Sequence, residues 1–293
     1  MNQDQAHQLR QLSNSLAQHK KMSRVVTVAS GKGGVGKSNF ILSFALSLME
    51  LGQKVVVIDL DIGMANLDIL MGTTPKYHLL DMILERKSIW SVLERGPQGL
   101  EYIAGGSGLN ELLQLREEER HYFFRELEKL HGYADLILID TGAGLTVESQ
   151  QCHLAADEVI LLTTPEPTAM ADAYSVVKIL HSQKPTISFQ LVVNRVSRQK
   201  EGIEAGSKFK FAVQRFLNKE ITIFGAIPDD AAVMQAVLKQ VPFYLAYPRA
   251  QASLTLKRLA QRFIAGAEAV PVEDGGIKGF LRTISRMLHH NVH

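Results

Sequence analysis

A glycine-rich segment near the start of the chain dictates much of its architecture. It reads Gly31-Lys32-Gly33-Gly34-Val35-Gly36-Lys37-Ser38 and fits the pattern G-x-x-x-x-G-K-[ST]. A β-branched run, residues 25–28, precedes it, and an amphipathic segment, residues 40–51, follows it. Such a turn between a strand and a helix closes backbone N–H groups around phosphate oxygens, at the positive end of the helix dipole. We therefore predict a phosphate-binding loop rather than an ordinary glycine-rich turn, with Lys37 on the β- and γ-phosphates and Ser38 on Mg²⁺.

The rest of the chain alternates short apolar runs with helical segments. The runs predicted as buried strands, each followed by a helix, are residues 55–58, 136–139, 159–163, 189–193 and 223–227. This alternation is typical of an α/β fold with one doubly wound, mostly parallel central sheet and helices on both faces. A last packing helix is predicted over residues 248–267.

Composition narrows the class of protein. Of 293 residues, 46% are hydrophobic and 21% are charged, which supplies a core and excludes disorder over the whole length. Lys plus Arg (32) against Asp plus Glu (30) gives a net charge of only +2, so any basic site must be local. The single cysteine, Cys152, excludes an intramolecular disulfide or a cluster held by this chain alone, and favours a reducing cytosol. Without a membrane-spanning run or a signal peptide, we expect a soluble cytoplasmic protein.

A phosphate loop needs a carboxylate at the end of a neighbouring buried strand to organise the metal. Residues 136–139 are apolar and end in Asp140, which we assign to the Mg²⁺ region. The alternative is a solvated helix cap. The segment Thr141-Gly142-Ala143-Gly144 follows, and we predict it to be a switch loop that senses the γ-phosphate.

The second lysine of the loop, Lys32, makes the loop resemble the deviant Walker A motif of the MinD/ParA family. The resemblance continues in two switch segments, residues 59–68 and 140–144, and in residues 165–168. It covers roughly residues 24–267, the predicted ATPase domain. It implies that Mg²⁺ and ATP bind between two copies of the chain, with Lys32 reaching the partner's phosphates as an arginine finger does. A solvated loop lysine is the alternative.

The same resemblance gives roles to acidic residues and to two strand ends. Asp61 is expected to orient the attacking water and Asp59 to support Mg²⁺, although both could be charges of a solvated turn. Asp172 matches the acid that pairs with the signature lysine across the dimer, unless it is only a surface residue. The ends of two further strands are expected to flank adenine. Asn194, the residue that ends one of them, could instead form a turn, and the absence of N-K-x-D favours ATP over GTP.

These assignments form three sets. The residues expected to bind nucleotide are Gly31, Lys32, Gly33, Gly34, Val35, Gly36, Lys37, Ser38, Asn39, Asn194, Pro228 and Asp229. The residues expected to act in catalysis are Lys32, Lys37 and Asp61. The residues expected in the metal region are Ser38, Asp59 and Asp140.

Beyond a predicted linker, residues 268–276, lies a basic amphipathic segment, residues 277–293. Its apolar stripe consists of Ile277, Phe280, Leu281, Ile284 and Leu288, and its basic face of Lys278, Arg282 and Arg286. This pattern suits an anionic membrane interface and resembles the membrane-targeting sequence of MinD. Two copies on an ATP-bound dimer would bind better than one. The alternative is a helix that packs on its own domain, and both hold if the helix packs in the monomer and is released in the dimer.

Residues 1–21 are predicted to form a separate short helix that carries a recognisable motif. The motif residues are Asp4, Gln5, Ala6, Leu9 and Arg10, and they resemble the D-Q-A-x-x-L-R activator motif of the FlhG group, also called YlxH. That resemblance implies stimulation of the GTPase FlhF, contacts with flagellar C-ring proteins of the FliM or FliY type, and control of flagellar number and placement. A disordered or self-packed helix is the alternative.

Other classes of function share the phosphate loop. A positioning ATPase for cell division, or one for DNA partition, is the main alternative, although the near-neutral charge disfavours a DNA coat. An iron–sulfur scaffold needs bridging cysteines, which a lone Cys152 does not supply. An interaction module that binds ATP without turnover also fits the motifs.

Overall fold

A computed structural model describes residues 23–61, 67–105, 116–266 and 275–290. Its centre is an eight-stranded sheet in which all neighbouring strands are parallel except the first pair at one edge. The strands are β1 Arg24–Ala29, β2 Val55–Leu60, β3 Glu94–Arg95, β4 Glu101–Ile103, β5 Leu136–Thr141, β6 Glu158–Thr163, β7 Phe189–Val196 and β8 Thr222–Pro228. Their order is β3-β4-β2-β5-β1-β6-β7-β8, which confirms the predicted fold class.

Helices cover both faces of this sheet. They are α1 Lys37–Glu50, α2 Leu67–Met71, α3 Leu79–Leu84, α4 Ile89–Val92, α5 Glu117–Glu128, α6 Val147–Ala155, α7 Pro167–Gln183, α8 Gln199–Leu217, α9 Ala231–Leu238, α10 Phe243–Ala246, α11 Gln251–Gly266 and α12 Gly276–His290. Alternate residues of β1 point to opposite faces, so Val26 packs with α1 and α11, and Val25 packs with α5, α6 and α12. Central strands buried on both faces explain their continuous apolar runs.

All of the strands predicted from apolar runs are present, and the structure adds two short strands at one edge of the sheet. The two-residue β3 and three-residue β4 were not predicted, because they are too short to show a period. β8 is an edge strand, but the predicted run of residues 223–227 lies within it, and Phe224 and Ala226 are buried in two different core clusters. Among the described strands, only β3 and β4 pair antiparallel, at an edge of the sheet that β2 and β5 separate from β1 and its phosphate loop.

The C-terminal segment forms the predicted amphipathic helix, α12, and packs on its own domain. Ile277, Phe280 and Leu281 are buried in a cluster with side chains of α5 and α6. Ile284 is partly buried against the same cluster. The basic residues Lys278, Arg282 and Arg286 are exposed on the other face. The apolar stripe that resembles a membrane anchor is therefore part of the core in this form of the protein.

Several predicted features lie outside the described residues. They are the N-terminal helix of residues 1–21 with Asp4, Gln5, Ala6, Leu9 and Arg10, residues 62–66 of the first switch segment, residues 268–274 of the linker, the Leu288 side chain and residues 291–293. Of the predicted linker, Gly275 and Gly276 are described, and Gly276 is already the first residue of α12.

Candidate nucleotide-binding site

The loop between β1 and α1 has the backbone geometry of a phosphate cradle. Gly34 and Gly36 adopt left-handed φ values of 78° and 95°, which favour glycine, and α1 begins directly at Lys37. A Cβ at Gly36 would lie 2.6 Å from the Asn194 amide nitrogen, and one at Gly31 would overlap the backbone of Asp172. Gly31 and Gly36 therefore have no room for a side chain, because neighbouring residues occupy that space whether or not a phosphate is bound.

Lys37 is held inside the site by the residues that end β5. Its ammonium forms a buried ion pair with Asp140 and donates a second hydrogen bond to the backbone carbonyl of Thr141. Asp59 lies directly opposite Asp140 in the parallel pairing of β2 and β5. Burial, and then the neighbouring charge of Asp140, raise the pKa of Asp59 to about 7. The site therefore has more carboxylates than its own lysine neutralises, which fits a bound cation.

The described residues contain no group of three metal-binding side chains close enough to hold a metal by themselves. Mg²⁺ in nucleotide sites keeps several waters and is bound through few protein ligands together with the nucleotide phosphates. Ser38 is half-buried at the start of α1, and Asp140 and Asp59 are buried at the neighbouring strand ends. These three residues are suited to hold Mg²⁺ only together with a nucleotide.

The two predicted switch segments meet at Asp61. Its backbone N–H donates a hydrogen bond of 2.9 Å to the Asp59 carboxylate. A Cβ at Gly142 would lie 3.1 Å from the Asp61 carboxylate oxygen, so the half-buried side chain rests against the switch loop of residues 141–144. Burial raises the pKa of Asp61. A carboxylate in this place is suited to accept a proton from a water molecule beside the phosphates.

Lys32 does not contact Asp172 in this form of the protein. Its ammonium lies 2.5 Å from the Glu166 carboxylate and 3.4 Å from the Thr168 hydroxyl, at the start of α7. The side chains of Lys32 and Glu166 are 34% and 60% exposed. Asp172 lies further along α7, where its backbone packs against Gly31. Glu166 lies in the segment of residues 165–168 that resembles the family, but the sequence did not indicate a role for it.

The residues expected to flank the base come together at the ends of β7 and β8. The Asn194 amide donates a 2.8 Å hydrogen bond to the Val35 carbonyl, so it braces the phosphate loop. The Asp229 backbone N–H donates to the Val196 carbonyl at 3.0 Å, which ties the end of β8 to β7. Pro228 ends β8, and Asn39 is half-buried in the first turn of α1. Contact of these residues with a base stays a prediction.

Sequence reasoning missed a buried histidine beside the site. The His153 side chain on α6 is 1% exposed, and its Nε2 lies 3.5 Å from the Thr141 hydroxyl. Burial, and then the charge of Lys37, lower the pKa of His153 to about 3, so the imidazole is neutral. A lone histidine in the helical segment of residues 147–155 gives no signal that would separate it from an ordinary packing residue.

The central sheet is mostly parallel, a phosphate loop follows its strand β1, and carboxylates end the next two strands on one side, β5 and β2. This arrangement defines the class of P-loop nucleoside triphosphatases. The chain belongs to the ParA/MinD family of this class. The matching family profile, ParA, described as NUBPL iron-transfer P-loop NTPase, covers residues 21–264. The predicted resemblance to the MinD/ParA family is thereby confirmed.

Individual relatives agree with the family. Antiactivator FleN of Pseudomonas aeruginosa is 35% identical over 239 residues, which cover 82% of this chain and 85% of FleN. The flagellum site-determining protein YlxH of Helicobacter pylori is 30% identical over 293 residues, or 97% of this chain and 99% of YlxH. The solved structure of MinD from Pyrococcus horikoshii with Mg-ADP matches with a TM-score of 0.69 at 24% identity, over 85% of this chain and all of MinD. The predicted resemblance to the FlhG (YlxH) group is also confirmed.

None of the helices in the described part of the chain is long and apolar enough to cross a membrane.

Proposed function

We propose that this protein is a Mg²⁺-dependent ATPase that dimerises on ATP and moves between the cytoplasm and the inner face of the cell membrane to control flagellar placement. The observation that carries the proposal is the position of α12. A basic amphipathic helix packs its apolar stripe on α6, the helix that follows the switch loop of the nucleotide site. The nucleotide site and the surface on which α12 packs therefore adjoin each other in one domain. A change in bound nucleotide could thus change whether α12 is packed or exposed.

In the proposed ATPase reaction, Lys37 leaves Asp140 and the Thr141 carbonyl to bind the phosphates. The loop N–H groups and the α1 dipole hold the remaining phosphate charge. Mg²⁺, when bound, neutralises phosphate charge and orients the leaving group. Asp61 holds the attacking water, and the 141–144 loop closes over the γ-phosphate. The groups given these roles, side chains and backbone alike, lie at the carboxyl ends of β1, β2 and β5.

Dimerisation is supported by the place of Lys32. The ammonium is partly exposed at the surface that surrounds the phosphate loop, and its ion pair with Glu166 is an exposed one. Exposed ion pairs contribute little, so Lys32 exchanges readily to a phosphate of a second copy. The proposed trans roles of Lys32 and of Asp172, whose backbone packs against Gly31, fit this arrangement.

Membrane binding is supported by the burial of the apolar side chains of α12. Its apolar side chains are covered while the helix is packed, so a monomer with packed α12 presents only the basic face to a lipid surface. Release of two helices from one dimer would raise the effective concentration of the second helix after the first binds.

The flagellar part of the proposal rests on the relatives and on the N-terminal motif. FleN is named as an antiactivator and YlxH as a flagellum site-determining protein. We therefore propose FlhF as the GTPase that the N-terminal residues activate, and C-ring proteins of the FliM or FliY type as further partners. GTP turnover by FlhF is expected to rise with the full-length protein and not with its Gln5→Ala, Arg10→Ala variant. Intact membrane cycling without this stimulation would instead support a positioning ATPase for cell division.

Flotation with anionic lipid vesicles tests the membrane part. The wild-type protein should float with vesicles in the presence of Mg²⁺ and a non-hydrolysable ATP analogue, and it should remain in the soluble fraction with ADP. Phe280→Glu should abolish flotation because the apolar stripe is broken, whereas Leu254→Glu, at an exposed leucine of α11, should not. Equal flotation with both nucleotides, or with Phe280→Glu, would contradict the proposal.

A further inference from the structure

The helix α6 joins the nucleotide site to the packed membrane helix. It begins at Val147, three residues beyond the switch loop, and Thr146 caps it by accepting a hydrogen bond from the Ser149 N–H. The Ser149 hydroxyl donates to the Gly144 carbonyl at 3.3 Å, and the Gly144 N–H donates to the Ser30 carbonyl at 3.0 Å. The first turn of α6 is therefore tied to the switch loop, and through it to the phosphate loop.

Two consecutive residues of α6 face opposite partners. Cys152 shares a buried cluster with Phe280 and Leu281 of α12. His153 turns instead toward the switch loop, where its Nε2 lies 3.5 Å from the Thr141 hydroxyl, at the outer limit of a hydrogen bond. A rotation or shift of α6 that changes the His153 contact must also change the surface on which α12 packs.

The hydrogen bonds assign the state of the imidazole. Within the described residues, His153 Nδ1 has no hydrogen-bond partner. We assign the tautomer in which Nε2–H donates to the Thr141 hydroxyl, because the other tautomer would bury an N–H without an acceptor. The Thr141 hydroxyl in turn has the Val28 and Gly142 carbonyls as acceptors, each at 3.4 Å.

Nucleotide binding must disturb this arrangement through Lys37. The Thr141 carbonyl accepts a hydrogen bond from Lys37, and the Thr141 hydroxyl accepts one from His153. Any phosphate that takes Lys37 leaves the Thr141 carbonyl without that donor, so the start of the switch loop gains a new set of partners. Thr141 is thus the residue at which a change in the site reaches α6.

We propose that His153 is a positioning residue that transmits the state of the switch loop to α12 through α6. This inference rests on the proposed nucleotide-dependent release of α12 and assigns the side chain that couples the two events. His153 touches no nucleotide; it holds α6 against Thr141, so that the loop and the α12 surface move together. Without the imidazole, the first turn of α6 would stay tied to the loop through Ser149, but the middle of the helix, on which α12 packs, would no longer follow the loop.

The single cysteine of the chain supplies the readout. Burial raises the pKa of Cys152 to about 12, so the thiol reacts slowly while α12 is packed. The experiment measures the rate of maleimide labelling of the full-length protein with ADP and with a non-hydrolysable ATP analogue, both with Mg²⁺. Wild-type protein should label several-fold faster with the ATP analogue.

Three variants then test the role of the imidazole. His153→Leu should label at the same rate with both nucleotides, and His153→Gln should keep the wild-type ratio, because its amide N–H replaces Nε2–H. Thr141→Val removes the hydroxyl from the loop side and should lose the ratio as His153→Leu does. The double variant His153→Leu, Thr141→Val should show the same labelling ratio as either single variant, as expected for two partners in one contact. Thr141→Val also keeps the test valid if His153→Leu fails to fold.

Phe280→Ser provides the reference for an open helix. This variant should label fast with either nucleotide, also in the His153→Leu background, which shows that the thiol of that variant remains reactive once α12 is displaced. A wild-type ratio in both His153→Leu and Thr141→Val would overturn the proposal and leave His153 as a space-filling side chain. A wild-type protein whose labelling ignores nucleotide while its vesicle flotation responds would overturn the coupling alone. If neither responds, the proposed function fails as well.

Discussion

Two buried carboxylates, Asp59 and Asp140, lie opposite each other on neighbouring strands, with Lys37 beside Asp140. A carboxylate whose pKa is raised by folding contributes stability that is fully present below its unfolded pKa and is lost as the pH rises through its folded pKa. For Asp59 that window runs from about 4 in the unfolded chain to about 7 in the folded protein. At neutral pH the nucleotide-free site therefore destabilises the fold.

Asp59→Asn should stabilise the nucleotide-free protein at pH 8, by roughly 1–4 kcal/mol, because an amide avoids the cost of burying a second charge. The free energy of unfolding, measured with urea in the absence of Mg²⁺ and nucleotide, should fall between pH 6 and pH 8 more steeply for the wild type than for the variant. Glu220→Gln, at an exposed carboxylate, should leave the slope unchanged. Parallel slopes for wild type and Asp59→Asn would show that Asp59 is already ionised below pH 6.

At the scale of elements, Asp157, which lies between α6 and β6, holds the first residue of α12, Gly276. The Asp157 carboxylate accepts hydrogen bonds from the Gly276 N–H, at 2.8 and 3.0 Å, and from the Val25 N–H, at 2.8 Å. The next residue, Glu158, pairs with Arg24, which stacks on Phe263 of α11. Two neighbouring acids thus anchor the two C-terminal helices on opposite faces of the sheet.

Asp157→Ala should loosen α12 without nucleotide. It removes the acceptor for an N–H at the helix start and should reduce the free energy of unfolding by roughly 1–3 kcal/mol. Hydrogen exchange of the α12 amides, and vesicle binding with ADP, should both increase. Glu128→Gln removes the exposed ion pair of Glu128 with Lys278, at 3.4 Å, and is the matched control that should change neither. Unchanged exchange in Asp157→Ala would mean that the apolar stripe alone holds the helix.

Local patterns predicted the phosphate loop, the parallel strands and the amphipathic α12, because each depends on spacing within one short segment. The contacts that connect these elements were not predictable, since they join residues far apart in the sequence. Lys32 and Glu166 are 134 positions apart, and Asp157 and Gly276 are 119 apart. The His153–Thr141 contact spans only 12 positions, but a lone histidine in a helical segment carries no pattern that predicts its partner. No periodicity specifies which of several polar side chains meet.

At the scale of the whole molecule, the Lys32–Glu166 pair bears on the proposed dimer. Lys32 would have to leave Glu166 before it reached a second copy, so this ion pair would compete with dimerisation. The competition would be weak, because both side chains are partly exposed and solvent screens their charges.

In the Asp61→Ala background with ATP, which should trap a dimer, Glu166→Gln should strengthen dimerisation by no more than a few-fold. Sedimentation at several protein concentrations measures the change, and the same proteins with ADP should remain monomers. Glu204→Gln, which removes an exposed ion pair with Lys200, should have no effect. Weaker dimerisation of Glu166→Gln would place Glu166 among the groups that bind the partner.

The proposed release of α12 would expose apolar surface twice, once on the helix and once on the domain. A lipid interface would cover the first, whereas the cleft that Phe280 and Leu281 vacate between α5 and α6 would stay open to water. That cleft would exist only while the helix is away. A ligand that filled it would recognise attached molecules without touching lipid, and would keep them attached by preventing the helix from returning.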